Sequence, residues 1–177
     1  MIWAICGRYG YVPGMWWRSG RRAGLWAVSG AAALVVGAAA SAGAGGRVIA
    51  PEADVAHHGS VTLLDGRLDV SLHSRSHGPA SLDGATVRLR FSEPLAGAQK
   101  LPGQCLWGGD RVVLCGTGEL RAGGAAQQVR LDLRTVGAPD EVIVKIDTMW
   151  NGGATDRNPS NNEHQVLAPA TGDPYVF

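Results

Sequence analysis

Aromatic residues are scarce in the part of this chain that could fold. Beyond position 42 there are five, Phe91, Trp107, Trp150, Tyr175 and Phe177, while four of the six tryptophans (Trp3, Trp16, Trp17 and Trp26) lie before it. A core must therefore be built from Val, Leu and Ile. Helical periodicity is also missing after residue 42, which argues against a helical bundle and for strands. No basic stripe exists to neutralise phosphates: from Gly43 onward twelve Lys/Arg face fifteen Asp/Glu, a net charge of −3, so nucleic acid is not expected as a partner. Ser, His and Asp occur, but no Gly-x-Ser-x-Gly elbow, zinc-protease helix or phosphate loop frames them, so neither an enzyme nor a cofactor is expected. There is no internal repeat, and hence a single module. Near the C-terminus no second apolar segment or sorting motif points to covalent wall anchoring.

What is present begins with the leader. Residues 1–42 hold four arginines and no acid. Arg18, Arg21 and Arg22 precede an alanine-rich apolar run, Leu25 to Ala42, which ends in Ala40-Ser41-Ala42. A basic region, an apolar region and a small-residue site describe a secretory signal peptide, with cleavage expected near Ala42. The alternative is an uncleaved membrane anchor. The run is shorter than the ~20 apolar residues a spanning helix needs, and Ser29, Gly30, Gly37 and Ser41 dilute it. Arg21-Arg22 allows twin-arginine export, although its surroundings match that signal poorly. Met15 opens a more typical signal than Met1 and is the alternative start, which would remove Cys6. Residues 43–53, opening with Gly43 to Gly46, read as a flexible linker.

From there the chain alternates. Leu68, Val70 and Leu72 share one face of Arg67 to Ser74; Val87, Leu89 and Phe91 one face of Thr86 to Phe91. Val129, Leu131 and Leu133 do the same in Gln127 to Thr135, as do Val142, Val144 and Ile146 in Glu141 to Met149. Period-two alternation marks half-buried strands, and Asp65-Gly66 between two of them marks a hairpin. With Val48 to Ala50, Val55 to Leu64 and Glu163 to Leu167 added, seven to nine short strands predict an all-β, immunoglobulin-like antiparallel sandwich over residues 54–168. The tail, residues 169–177, could add a strand, dock on a partner or stay disordered.

The stretch Cys105 to Leu120, CLWGGDRVVLCGTGEL, carries the only two cysteines beyond the leader. An even count in an exported chain predicts a disulfide, Cys105–Cys115. A hairpin with an odd loop centred on Asp110 would place the two directly opposite, with Trp107 on their face of the pleat. Asp156 to Asn162, DRNPSNN, is a turn in which Pro159 fixes φ after Asn158, and Asp156, Asn161 and Asn162 can bond nearby backbone amides. Its oxygens invite a calcium reading, but a calcium ion takes about six to eight oxygens and Asp156 is the loop's lone carboxylate.

Taken together, Cys-strand-Cys, the Gly116, Gly118, Leu120, Gly123 pattern, an alternating strand and D-x-N-P-x-N-N before the last strand resemble the immunoglobulin-like repeat domains of bacterial surface and secreted proteins. These are the CARDB type and the related family called domain of unknown function eleven. The likeness covers roughly Asp54 to Leu167. It departs at Ser76-His77-Gly78-Pro79, where that family often has Asn-x-Gly-Pro. The resemblance implies an adhesive, spacer or scaffold role with no active site.

Histidines give the rival reading, an extracytoplasmic copper-binding sandwich. His57-His58 and His73-x-x-x-His77 are the candidate ligands, and LRFSEP (Leu89 to Pro94) resembles a strand of copper-resistance-protein-C-like sandwiches. Those begin the mature chain with a histidine, which this chain does not. The bland expectation is solvated histidines on polar strand faces. A small secreted hydrolase is the third reading. The expected function is thus an exported, non-catalytic module that binds an unidentified protein or cell-envelope ligand outside the cell, touching membrane only if its leader is retained.

Overall fold

The computed structural model describes residues 49–97 and 99–177. The signal-peptide reading of residues 1–42, the alternative start at Met15 and most of the linker lie outside the described residues. Nine strands follow in order: β1 (Val55–Leu64), β2 (Arg67–Ser76), β3 (Thr86–Phe91), β4 (Cys105–Gly109), β5 (Val112–Gly116), β6 (Gln127–Arg134), β7 (Glu141–Trp150), β8 (His164–Pro169) and β9 (Tyr175–Val176). One short 3-10 turn, Pro159–Asn161, sits between β7 and β8. The strands form two antiparallel sheets, β6-β2-β1-β9 and β4-β5-β3-β7-β8, so the protein is an all-β sandwich.

Alternation drives this arrangement. Leu68, Val70 and Leu72 on β2 and Val129, Leu131 and Leu133 on β6 face inward from one sheet. Val87, Leu89 and Phe91 on β3 and Val142, Val144 and Ile146 on β7 face inward from the other. All are buried, and Phe91 is the single aromatic in the fully buried part of this core. Burying an aliphatic side chain of this size is worth ~1.5–3 kcal/mol, so the interdigitated Val and Leu side chains supply what aromatics do not. A smaller cluster, Ala53, Val55, Leu82, Ala85 and Leu120, closes one end.

The β1–β2 hairpin turns at Asp65-Gly66, both with positive φ (48° and 72°), as a two-residue turn matched to strand twist requires. A side chain on Gly66 would also collide with the Gly137 carbonyl.

Several boundaries differ from those expected. Ile49 and Ala50 are exposed and unpaired rather than a strand. The sandwich instead begins at Glu52, which bridges Thr155, and Ala53 is fully buried, so the last two linker residues belong to the fold. At the other end β8 runs to Pro169. The tail adds β9, where Ser60 pairs with Val176 and Val61 with Tyr175. Phe177 and Gly59 exchange backbone hydrogen bonds of 3.1 and 3.2 Å, and Tyr175 and Phe177 pack against the main core. In the four-stranded sheet, β9 thus covers part of β1 that would otherwise be an open edge.

Candidate binding face and the polar sites around it

Cys105 and Cys115 are directly paired across β4 and β5, with a Cα–Cα distance of 4.1 Å, and are joined by a disulfide. That short separation belongs to a non-hydrogen-bonded antiparallel pair. Accordingly the Cys105 N–H turns away, to the Pro102 carbonyl at 2.8 Å. The connection is not the expected odd loop. It is a two-residue turn at Asp110-Arg111, and the odd residue is a bulge at Gly108, after which Gly109 pairs with Val112. A Cβ at Gly108 would stand 2.9 Å from Val112 Cγ1, which is why glycine occupies the bulge. Trp107 shares the cysteines' face, opposite buried Val113. It remains 38% exposed because β4 is the sheet's edge.

In the DRNPSNN loop, the Asp156 carboxylate accepts three N–H donors: Val55 N at 3.1 Å, Asn162 Nδ2 at 2.9 Å and Asn158 N at 2.8 Å. Asn161 Nδ2 donates to Asp54 Oδ1 at 2.7 Å, Pro159 opens the short 3-10 turn, and Ser160 Oγ donates to Asn158 Oδ1. Both Asp156 oxygens are therefore committed to donors, and the loop ties the start of β1 to the entry of β8. Asp156→Ala is expected to lower stability by about 1–2 kcal/mol, since charge-accepting hydrogen bonds exceed neutral ones and part of this site is wet. Urea unfolding measures that loss. A melting temperature raised by calcium chloride would instead make the loop a cation site.

The histidines separate into unlike environments. His57 is fully buried, not a solvated surface residue as expected. Its Nδ1 lies 3.0 Å from Ser74 Oγ on β2 and its Nε2 2.8 Å from Thr148 Oγ1 on β7, so the ring joins the two sheets. Burial holds its pKa down, from 6.5 to about 4, with the charges of His164 and His58 acting the same way and Asp147 and Asp156 opposing. A Ser–His pair at this distance resembles an activated nucleophile. Here Ser74 is as buried as His57 and the second ring nitrogen meets a hydroxyl, not a carboxylate. His58 and His73 are exposed and directly opposite each other on β1 and β2, a juxtaposition different from either sequence pair. Gln128 touches His73 at 2.9 Å from the far side, and His77 is exposed in the turn after β2. Among the described residues no three His, Cys, Asp or Glu side chains converge on a point that would hold a metal ion.

A polar, charged surface covers the outer face of the five-stranded sheet. Register places Arg88 opposite Asp147 and Arg90 opposite Lys145 on β3 and β7. Arg88 grips the Asp147 carboxylate with Nε at 3.1 and 3.3 Å and Nη2 at 2.6 Å, while Arg90 Nη2 adds a bond of 3.0 Å. Hydrogen bonding to Asp147 raises the Arg88 pKa further. These groups, with Glu163 and His164, line a shallow depression of about 370 Å³. At its end the β3–β7 ladder carries a bulge: Val87 pairs with Thr148, but Thr86 pairs with Trp150, skipping Met149. Trp150 thereby joins the face that holds Arg88 and Arg90 and is 55% exposed. Alternation alone ends this strand at Met149, whereas it runs to Trp150; a lone tryptophan beside an Asn-Gly-Gly turn is the sequence signal for that extension.

Searches of family models, curated proteins and solved structures find nothing that matches this chain.

Proposed function

We propose that the protein is exported and acts outside the cell as a non-catalytic β-sandwich module that binds a protein or cell-envelope ligand. The observation that carries this reading is the Cys105–Cys115 disulfide, because bonds of this kind persist in oxidising compartments and are reduced in the cytosol. The basic, alanine-rich stretch ahead of Gly43 supports export, and the resemblance to CARDB-type domains supports an adhesive, spacer or scaffold role. Sealing of the Ser74–His57 pair from solvent argues against its use on a substrate.

Expression of the full chain with a C-terminal tag tests the reading. Cell fractionation should recover the product outside the cytoplasm, N-terminal sequencing should read a start near Gly43, and thiol alkylation should leave Cys105 and Cys115 unlabelled. A membrane-bound product that keeps Trp26 would replace the secreted form by an anchored one. A cytoplasmic product with both thiols reactive would overturn the proposal.

A further inference from the structure

We infer that the outer face of the β3–β7 ladder is a binding site for an acidic saccharide, with Trp150 as the stacking platform and Arg90 and Lys145 as the carboxylate-binding cations. Three independent features point there. The first is the bulge at Met149. Bulges commonly sit beside functional sites and re-aim a side chain. This one adds Trp150 to the row of Thr86, Arg88 and Arg90 instead of continuing the strict alternation. The indole is more than half exposed, and no hydrogen bond within the protein engages its N–H among the described residues. A half-exposed tryptophan offers a rigid apolar face with a polar edge, the combination that an alternately apolar and hydroxylated sugar ring fits.

The second feature is the charge. Arg90 and Lys145 are direct cross-strand neighbours, and like charges directly opposite destabilise a sheet. Asp147 satisfies Arg88 and one corner of Arg90, and Lys145 has no ion pair among the described residues. Three cations against Asp147 and Glu163 leave the depression net positive. A bound carboxylate between Arg90 and Lys145 would relieve their repulsion, and a guanidinium offers it a two-pronged donor. Asp147, 13% exposed, meanwhile fixes both arginines on the sheet so that little ordering remains to be done on binding.

The third is shape. Thr86/Trp150, Arg88/Asp147 and Arg90/Lys145 are successive rungs on one face. With strands rising ~3.4 Å per residue, the track from Trp150 to Arg90 is roughly 14 Å long. The depression over Arg88, Arg90, Lys145 and Asp147 is open and shallow, and Trp150 stands at the next rung beyond its lining, which suits an extended chain lying along the sheet and not a small molecule enclosed in a cavity.

This inference rests on the proposal that the protein binds a ligand outside the cell, but its test uses purified protein, so a failure here leaves the export result standing. The full-chain product as recovered from cells is titrated with trigalacturonate, with the uncharged galactose trisaccharide and with inorganic phosphate, following tryptophan fluorescence and calorimetry. Trigalacturonate is expected to bind and to shift the fluorescence. The neutral trisaccharide and phosphate should each bind at least about tenfold more weakly, and rising salt should weaken the acidic ligand. Trp150→Ala should cost about tenfold or more without altering the salt dependence, whereas Arg90→Ala with Lys145→Ala should cost as much and flatten it. All three positions are exposed or half-exposed, and unchanged melting curves will show that the variants fold. Absence of trigalacturonate binding, equal binding of the neutral sugar, phosphate binding as tightly as trigalacturonate, or affinities that ignore both variants would overturn the inference.

Discussion

Acidification from pH 7 to pH 4 is expected to remove about 3 kcal/mol of folding stability through His57 alone. The imidazole is sealed between the sheets, and its pKa falls from 6.5 to about 4, chiefly because burial penalises the charged ring. In the unfolded chain the same ring takes up its proton near the ordinary value. Between the two, the unfolded state binds a proton that the folded state refuses. Stability from this residue is thus complete above about pH 6.5 and is lost as pH falls toward 4. Ser74 and Thr148 can each donate to or accept from a neutral ring; a doubly protonated ring would need acceptors on both sides and a place for its charge. Urea unfolding at several pH values between 7 and 4 measures the slope, and His57→Gln should abolish this component while leaving the carboxylate contribution. A wild-type slope that matches the variant's would show that His57 is not the group responsible.

Reduction of the Cys105–Cys115 bond is expected to cost about 2–3 kcal/mol, and Cys105→Ala with Cys115→Ala more than that. A ten-residue separation restricts the unfolded chain only modestly. For a sandwich of this size that corresponds to a fall in melting temperature of roughly 8–12 °C. The loss is not purely entropic, since Cys115 is itself fully buried and packs in the main core, so reduction alone should cost less than the double substitution. Trp107, paired with Val113 two residues along, reports the change: β4 is an edge strand held to the sheet only by β5, and loosening it should move Trp107 emission to the red. Trp150→Phe removes the other tryptophan signal of the described fold. An unchanged melting temperature after complete reduction would show that the hairpin needs no staple.

The sheets were legible because their code is local. Leu68, Val70 and Leu72 declare their face by spacing alone, and Asp65-Gly66 declares its turn by the positive φ values that few other pairs accept. That same turn fixes the register of β1 on β2, so counting back from it sets His58 against His73. Sequence proximity drew attention instead to His57-His58, two residues that a strand sends to opposite faces. The inward series on β1, β2 and β7 each turn polar at the same end, at His57, Ser74 and Thr148, a coincidence visible in the sequence only once the strands are aligned. The bulges at Gly108 and Met149 were not legible, because a bulge depends on how two strands compete for one register, which neither strand encodes separately. Pairing of Tyr175–Val176 with β1 was hidden for a related reason: two residues are too few to show a period.

The Asp156 carboxylate that holds the Val55 amide spans 101 residues of chain, and the β2–β6 and β3–β7 ladders also join distant segments. Contacts of such range require loop closure before they return any free energy, which places the molecule among slow folders, in the range of milliseconds to seconds. The β1–β2 and β4–β5 hairpins can form early because each closes over two turn residues. β9 and the Asp156 loop can join β1 only once nearly the whole chain is present. Under the export proposed above, a chain threaded unfolded would pass most of its length before these contacts could lock, and slow folding would keep it threadable until then.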